Sequence, residues 1–591
     1  MVFRRTRIWI ACLIVIALSS QIVVRGVEPR AAELLPSSTL AYFEIRNPQR
    51  LIDFVLDHPI RNKIEALEQV KRAKEERKYL EFKAVVAMVE AKLGQPWRKL
   101  LSQVAGQSLA LAFDPTNRGS ALIVHTADES TATNLVEAVV GLAQSAPGNA
   151  RNKNRIQTAE YRGTKVYSLD KIRLAVVGQM LIVTNNGEQG KQLLDAYFDR
   201  PQKTLATDAN YLRAESLVDD AIIWSYANVA TLRQAGGLAK FFKGPKDNPV
   251  IELLLGGVFG TLQNTPLVAL SMQLENQSIG LTATAPYDAA WTGESREYFL
   301  GTDGKGSAGQ LLTVNQRMLA LSAYRDIAGM WLRSDDLFNQ KINDDLAKAD
   351  SNLSTFFGGK DFAEDILAAM RPELQLIVAR QSFVDARPVP TIKLPAFGLV
   401  ADLKDPIKMQ PELRRTFQSV IGFLNIVGAM NGQPQLELDM EKSDQLQLIT
   451  SRYLPDSQST DTANVRIHHN FSPSIAFAKE RFVIASTQEL ARELAFAKMA
   501  AGESASSPAG TSVNTRALID IKAGREILAD NRSQLIAQNM IKEGQTQVEA
   551  EAAISTLLEL VGWLRTATLR LETSQDVMKL AVTVETSSLG D

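Results

Sequence analysis

Two stretches far apart in the chain share one residue pattern, and this repeat constrains the fold more than any other feature. The first is RLAVVGQMLIVTNNGEQGKQLLDAYF, from Arg173 to Phe198, and the second is SIAFAKERFVIASTQELARELAFAKM, from Ser474 to Met499. In each stretch two short apolar runs flank a dipeptide, and apolar residues at helical spacing follow a polar break. Each stretch is therefore predicted to form a strand, a tight turn, a second strand and a helix.

Both stretches carry local signals at the turn and at the helix start. Gly178-Gln179 is a two-residue hairpin signal, whereas Lys479-Glu480 stands there in the second stretch, so the second turn need not have the same geometry. Asn185 and Ser486 each stand three residues before a glutamate, an arrangement typical of a helix N-terminus. The two helices are expected to be capped by these residues.

Other strand patterns recur in the same order at separations that are not constant, so insertions and deletions would separate two copies. This order predicts an internally duplicated α+β protein: two tandem related halves with mixed or mainly antiparallel sheets and helices packed on one face. The first half is expected at 27–285, a glycine-rich, flexible linker at 286–310 and the second half at 311–591. The repeated pairs are Leu40-Ala41 with Leu319-Ala320, Leu109-Ala110-Leu111 with Leu374-Gln375-Leu376, Ala221 to Tyr226 with Ala517 to Lys522, and Met272 to Glu275 with Leu569 to Glu572.

The N-terminus has the pattern of an export leader. Basic residues up to Arg7 precede an apolar run from Ile8 to Leu18, which small polar residues follow. Because apolar character returns up to Val24, residues 8–24 are just long enough to associate with a membrane if the leader is retained. Residues 1–26 are therefore predicted to be a signal peptide or an inner-membrane anchor, and the remainder to be periplasmic or otherwise extracytoplasmic.

Composition limits how the chain can be stabilised and which partners it is expected to bind. The single cysteine, Cys12, lies in the leader, so an exported chain must be held together by apolar cores rather than by intrachain disulfides. The formal net charge is -1, which gives no reason to expect a nucleic-acid partner. The hydrophobic fraction of 45% and the charged fraction of 22% are ordinary for a folded protein.

The glycine motifs do not fit a cofactor site. Gly304, Gly306 and Gly309 match G-x-G-x-x-G, but the pattern lacks the preceding strand and the following helix that dinucleotide binding needs. The segment 185–191 resembles a phosphate-binding loop, yet Asn185 replaces its first glycine and Gln192 replaces the hydroxyl residue that holds a metal. No cofactor is predicted.

The remaining candidates for chemistry are similarly weak. The four histidines, including adjacent His468 and His469, lack the spacing of metal ligands. The acidic pairs Asp219-Asp220, Asp335-Asp336 and Asp344-Asp345 are expected in polar breaks, where aspartate makes turns and caps. No catalytic, cofactor-binding or metal-binding residue is predicted, and Trp224 and Trp563 are expected in the core.

A short pattern follows the leader: Leu34-Leu35-Pro36, then Thr39-Leu40-Ala41-Tyr42, then Asn47-Pro48 before Leu51. With this pattern and the duplicated layout, the chain resembles a family of exported bacterial proteins that carry a domain of unknown function. It implies export, and it brings no established catalytic residues.

The preferred interpretation is a non-enzymatic cell-envelope protein that provides a binding or structural surface, with an unknown partner. One alternative is a periplasmic carrier whose helix-covered sheets enclose a lipid or another apolar ligand. The other is a hydrolase whose active site is assembled from distant loops. Lipid recovered in stoichiometric amount would favour the carrier, and a deep pocket with convergent acid, base and nucleophile would favour the hydrolase.

Overall fold

The computed structural model describes residues 28–58, 60–104, 106–145, 156–218, 220–236, 247–275, 277–383, 389–431, 434–454, 467–500 and 510–587. The predicted leader, residues 1–26, lies outside these ranges. The chain packs as two compact units. Unit 1 combines the described residues up to Thr39 with Val89–Asp208, and unit 2 combines Leu40–Met88 with Ala209–Asp591.

Strands are numbered along the described residues. They are β1 (Ala41–Ile45), β2 (Ser108–Asp114), β3 (Gly119–His125), β4 (Ile156–Tyr161), β5 (Thr164–Leu169), β6 (Ile172–Val177), β7 (Met180–Thr184), β8 (Ile223–Asn228), β9 (Leu267–Glu275), β10 (Ser278–Pro286), β11 (Leu312–Thr313), β12 (Arg317–Tyr324), β13 (Met370–Ala379), β14 (Ala396–Leu403), β15 (Leu436–Lys442), β16 (Gln447–Tyr453), β17 (Ser474–Ala478), β18 (Arg481–Ala485), β19 (Lys498–Met499), β20 (Ser512–Asp520), β21 (Leu564–Thr573) and β22 (Val577–Thr586).

The α-helices of the described residues are numbered in the same way. They are α1 (Ala31–Leu34), α2 (Pro48–Asp57), α3 (Ile60–Ala66), α4 (Glu68–Glu75), α5 (Arg77–Leu93), α6 (Trp97–Val104), α7 (Glu129–Ser145), α8 (Gly187–Asp199), α9 (Ala209–Ser216), α10 (Val229–Gln234), α11 (Pro249–Asn264), α12 (Glu297–Leu300), α13 (Ile327–Leu332), α14 (Ser334–Leu337), α15 (Gln340–Phe356), α16 (Pro406–Met430), α17 (Gln488–Phe496), α18 (Ile521–Asp530), α19 (Arg532–Glu543) and α20 (Gln547–Gly562).

The sheet of unit 1 is antiparallel, with its strands in the order β2-β3-β7-β6-β5-β4. Helix α7 packs on one of its faces, where Val136 lies against Val124 and Leu181. Alternating apolar residues on the strands supply this core, as expected for a sheet that buries one face under a helix.

The sheet of unit 2 is also antiparallel and has fourteen strands. Their order is β1-β8-β9-β10-β22-β21-β20-β12-β13-β14-β18-β17-β16-β15. Helices α16 and α17 pack on opposite faces of the part that contains β17 and β18, since Met409 contacts Ile475 whereas Leu494 contacts Ala476. The predicted α+β class with mainly antiparallel sheets is confirmed, whereas the prediction that helices pack on one face is wrong here, because α16 and α17 cover both faces.

The two predicted halves contain the same order of connections. In unit 1 the strands β2 to β7 pair as described above, and in unit 2 the strands β13 to β18 pair in the order β13-β14-β18-β17-β16-β15. A helix follows the second strand and another follows the last strand in both sets, α7 and α8 in the first and α16 and α17 in the second. The compact units do not divide the chain at the predicted boundaries, and the duplication itself stays a prediction.

The repeated stretches form the predicted strand, turn, strand and helix. The turn between β6 and β7 has Gly178 at φ 56°, and Lys479 occupies the corresponding turn between β17 and β18 at φ 57°. The second turn therefore keeps the left-handed first residue, although lysine adopts this conformation less readily than glycine. Fixed pairing of the flanking strands selects this backbone despite the changed residue.

The predicted helix caps are wrong by one residue in both stretches. Asn186 caps α8 by accepting hydrogen bonds from the N–H groups of Glu188 and Gln189, and Thr487 caps α17 by accepting from Leu490 N–H. Asn185 and Ser486 instead accept hydrogen bonds from the backbone N–H groups of Ser120 and Phe397 on neighbouring strands. The side chains that the local pattern assigns to the helix caps therefore bind to neighbouring strands instead.

This assignment predicts that Asn186→Ala lowers the free energy of unfolding of unit 1 by about 1–2 kcal/mol, because two N–H groups of α8 lose their acceptor. Asn185→Ala removes one exposed hydrogen bond and is expected to cost about 0.5 kcal/mol. Urea unfolding of both variants, followed by circular dichroism, measures the difference. A larger loss for Asn185→Ala would place the cap where the local pattern puts it.

The segment 286–310 is packed, in contrast to the flexible connector predicted from its glycines. Tyr298, Phe299 and Leu300 are almost fully buried and contact Leu571 and Met578 in a common core. The glycines allow close approach rather than flexibility: a Cβ on Gly304 would lie 2.3 Å from the hydroxyl of Tyr287. The segment is packed because burial of its aromatic residues offsets the entropy cost of ordering the chain.

A buried arginine holds this segment against the sheet of unit 2. The guanidinium of Arg325 lies 3.5 Å from the ring centre of Phe299 and donates to Leu253 O at 2.6 Å. It also donates to the side chains of Asn514 and Thr515, at 2.8 and 3.1 Å. Burial lowers the pKa of this guanidinium, and its hydrogen bonds compensate for the lost hydration.

Candidate functional site

The most prominent candidate site is one face of the unit 2 sheet, here called the apolar face. Following the pairing from strand to strand gives a row of fourteen laterally adjacent residues, one per strand, and every one of them is apolar. With about 4.8 Å between neighbouring strands, the row extends about 60 Å along the sheet. The row is Ile45, Ile223, Met272, Leu281, Val582, Leu569, Ala517, Leu321, Leu376, Leu399, Ile484, Ile475, Ile449 and Met440.

A second row on the apolar face lies two residues along each strand and is also wholly apolar. It joins Leu274, Ile279, Val584, Ala567, Ile519, Leu319, Val378 and Phe397. On the opposite face of β9, β10, β22, β21, β20, β12 and β13 the row is polar except for one alanine, and on β14 and β18 it continues into the buried residues Val400 and Val483. The polar part of the row is Ser271, Thr282, Ala581, Arg570, Arg516, Ser322 and Gln375.

The polar row does not face open water, because Ser322 on it is fully buried and Val400 and Val483 at its continuation pack in the core with α17. On the apolar face the described residues cover only part of the two rows. Helix α16 buries Ile475 and Ile449 through Met409 and Leu413.

The middle of the apolar face remains open to solvent in the described residues. Leu281 is 47% exposed, Leu399 is 52% exposed and Ile484 is 47% exposed, while Val582 and Leu569 between them are half-buried. Single exposed leucines are common, but contiguous apolar rows of this extent on a protein surface mark a binding site. The face can therefore bind an apolar partner.

A second candidate is a cavity of about 620 Å³ in unit 2, between β13 and α17. Its charged wall is paired within the protein, because Arg380 donates to Asp530 at 2.7 and 2.9 Å and to Glu526 at 3.1 Å. These hydrogen bonds raise the pKa of Arg380 and lower the pKa of Asp530. A structural ion pair accounts for this cluster.

The sequence-derived candidates for chemistry lie apart from one another. His468 and His469 lie on the 3₁₀-helix Ile467–Asn470 rather than on a strand, with ring centres 4.3 Å apart. Asp335 and Asp336 lie in α14, whereas Asp344 and Asp345 lie inside α15 and not in a polar break. Asp219 lies outside the described residues. In the described part of the chain, no group of three potential ligands is placed to hold a metal ion.

The glycine and tryptophan predictions can also be placed. In the segment 185–191 the ammonium of Lys191 lies 3.2 Å from Glu188, and the loop serves as the start of α8. Trp224 and Trp563 are buried, as predicted. The apolar face was missed because its rows become visible only once the strands are in register. Strict alternation in LRTATLRLET and VMKLAVTVET was the signal available in the sequence.

No family model and no curated protein matches this sequence. Among solved structures, the chain is similar to crystal form IV of TP0453, at 11% identity and a TM-score of 0.25, over 45% of this chain and 83% of that one. Crystal form III gives 10% identity and a TM-score of 0.24 over 44% and 80%. Crystal form I gives 9% identity and a TM-score of 0.23 over 44% and 79%.

Among the described residues, no helix has both the length and the apolar character needed to cross a bilayer.

Proposed function

We propose that this chain is a non-enzymatic lipid-binding protein whose apolar face receives hydrocarbon chains. One observation carries the proposal: a row of fourteen apolar residues crosses the unit 2 sheet, and its centre is exposed in the described residues. Covering such a row releases about 25 cal/mol for each Å² of apolar surface removed from water.

The chemistry of the face favours an aliphatic occupant over a protein partner. Its two apolar rows consist of leucine, isoleucine, valine, methionine and alanine, with Phe397 as the one aromatic residue. Protein interfaces usually depend on tryptophan, tyrosine and arginine anchors. The backbone donors and acceptors of the inner strands are used within the sheet, so the face offers few polar groups to orient a protein partner.

Twist also disfavours a second copy of the sheet as the occupant. Neighbouring strands rotate by about 20° on average, so fourteen strands accumulate well over about 180° of twist. Two rigid sheets of this width cannot stay in contact along their full rows. Flexible acyl chains can follow the surface, because each chain touches only a few strands.

Native purification tests the proposal directly. We expect organic extracts of the full chain to contain at least about one lipid per protein by mass spectrometry. We also expect a delipidated sample to take up a fluorescent fatty-acyl probe with a Kd of about 1 μM, which corresponds to about 8 kcal/mol.

Two results would contradict the proposal. One is lipid-free protein that takes up no acyl probe. The other is a stable dimer, detected by light scattering, that does not bind the probe. A second copy would then cover the apolar face.

The cellular setting of this function is part of the proposal. The leader pattern of residues 1–26 and the resemblance to exported proteins support a place in the cell envelope. Identical orders of connection in β2 to β7 and in β13 to β18 support an origin by internal duplication. N-terminal sequencing of the mature chain after cell fractionation tests export, and an intact leader in the cytoplasm would refute it.

A further inference from the structure

Unit 1 contains a cavity of about 230 Å³ between α8 and the sheet. One row of paired residues forms its floor: Ala159, Val166, Ala175 and Ile182 lie side by side on β4, β5, β6 and β7. Leu194 of α8 contributes to the opposite wall. The cavity is smaller than a typical drug-sized site, so it suits a single short chain.

In unit 2 the corresponding row is buried among the described residues. There Leu448, Ala476 and Val483 form the row, and α17 packs on it with Leu490 and Ala491, all of them buried. Counted from the helix caps, the positions of Leu490 and Ala491 are occupied in α8 by Gln189 and Gly190. Of these two α8 residues Gly190 lines the unit 1 cavity, and it is smaller than Ala491 at the corresponding position of α17.

The polar substitution in α8 is only partly satisfied. Gln189 is fully buried, and its Oε1 accepts a hydrogen bond from Thr184 at 2.8 Å. Its Nε2 is buried without a partner in the described residues. Gln189 lies beside Gly119 and does not line the cavity. Empty space lowers stability, so packing alone does not explain the cavity.

The polar end of the cavity carries positive charge. Arg173 lies between Ser168 and Thr184 in the paired strands, and all three line the cavity. Nη1 of Arg173 donates to the carbonyl oxygens of Asp170 and Ile172, at 2.7 and 3.1 Å, rather than to a carboxylate. Lys191 lines the same cavity and is paired with Glu188, and Glu160 supplies a nearby negative charge.

From this combination we infer that the unit 1 cavity binds a small amphipathic anion of the fatty-acid type. Its hydrocarbon chain lies along the row from Ala159 to Ile182, and its carboxylate lies at Arg173. The site is separate from the apolar face and does not depend on it.

Isothermal titration of the full chain with sodium octanoate tests the inference. We expect saturable binding at one site, weakened at least about tenfold in Gly187→Leu and less than about twofold in Gly187→Ala. Gly187 lines the cavity, and a Cβ there meets no atom within 4 Å, so both variants are expected to keep the fold. Arg173→Gln is expected to weaken octanoate about tenfold while leaving 1-octanol unchanged, because the alcohol carries no charge.

The same titration in the double variant Leu281→Glu/Leu399→Glu separates the two sites, since octanoate binding is expected to persist when the apolar face is altered. Three results would overturn the inference: no saturable octanoate binding, wild-type affinity in Gly187→Leu, or equal loss of octanoate and octanol binding in Arg173→Gln.

Discussion

Glutamate at the centre of the apolar face is expected to abolish lipid retention. Leu281→Glu and Leu399→Glu should each lower affinity for a fluorescent fatty-acyl probe about tenfold, and the double variant about 100-fold. Each change removes a leucine contact with the acyl chain, which contributes about 1.5–3 kcal/mol, and places a carboxylate where hydrocarbon would otherwise lie. Probe titration and the lipid content of natively purified variants measure the effect.

The matched control is Thr568→Glu, which adds the same charge next to Leu569 but on the opposite, polar face of β21. Its probe affinity should stay within about twofold of wild type, since the new carboxylate remains in water. The replaced leucines are about half exposed, so the variants are expected to fold. Circular dichroism of all variants checks this. Equal losses in Thr568→Glu and Leu281→Glu would show that net charge, and not the apolar face, controls retention.

Removing the buried guanidinium of Arg325 is the second large effect expected. Arg325→Met removes the guanidinium donors to the carbonyl of Leu253 and to Oδ1 of Asn514, and with the lost contact to Phe299 it should destabilise the surrounding structure by about 3 kcal/mol. Hydrogen exchange measured by mass spectrometry should then accelerate about 100-fold in peptides from 286–310, since about 1.4 kcal/mol corresponds to a factor of ten.

Arg333→Met, between α13 and α14, provides the control. Arg333 forms an exposed ion pair with Glu294 at 2.9 Å, and exposed pairs contribute about 0–1 kcal/mol. Exchange in the same peptides should change less than about fivefold. Rapid exchange of 286–310 already in the wild-type protein would contradict a packed segment and restore the flexible connector predicted from its glycines.

Local sequence signals were sufficient for the hairpins. In both repeated stretches the strand, turn, strand and helix form in the predicted order, as β6, β7 and α8 and as β17, β18 and α17. Prediction succeeds here because alternation and turn residues act over fewer than about ten positions.

Features that depend on residues far apart in the chain could not be predicted from the sequence. The contact between Gln277 and Thr586 spans 309 positions, and no local pattern encodes the pairing of β10 with β22. Helix caps were misplaced because Asn185 and Ser486 bond to Ser120 and Phe397 on other strands. The apolar face could not be predicted for the same reason. Alternation is visible within a single strand, but the apolar residues form rows only when the strands are paired in register.

The pairing of β10 with β22 has a consequence for biosynthesis. About 290 residues separate the end of β10 from the start of β22, and a ribosome adding about 5–20 residues per second takes roughly 15–60 s to make them. During that interval the nascent chain holds an unpaired strand edge beside exposed leucines, a combination prone to misassociation. Chaperone capture of translating chains should therefore peak before β22 emerges.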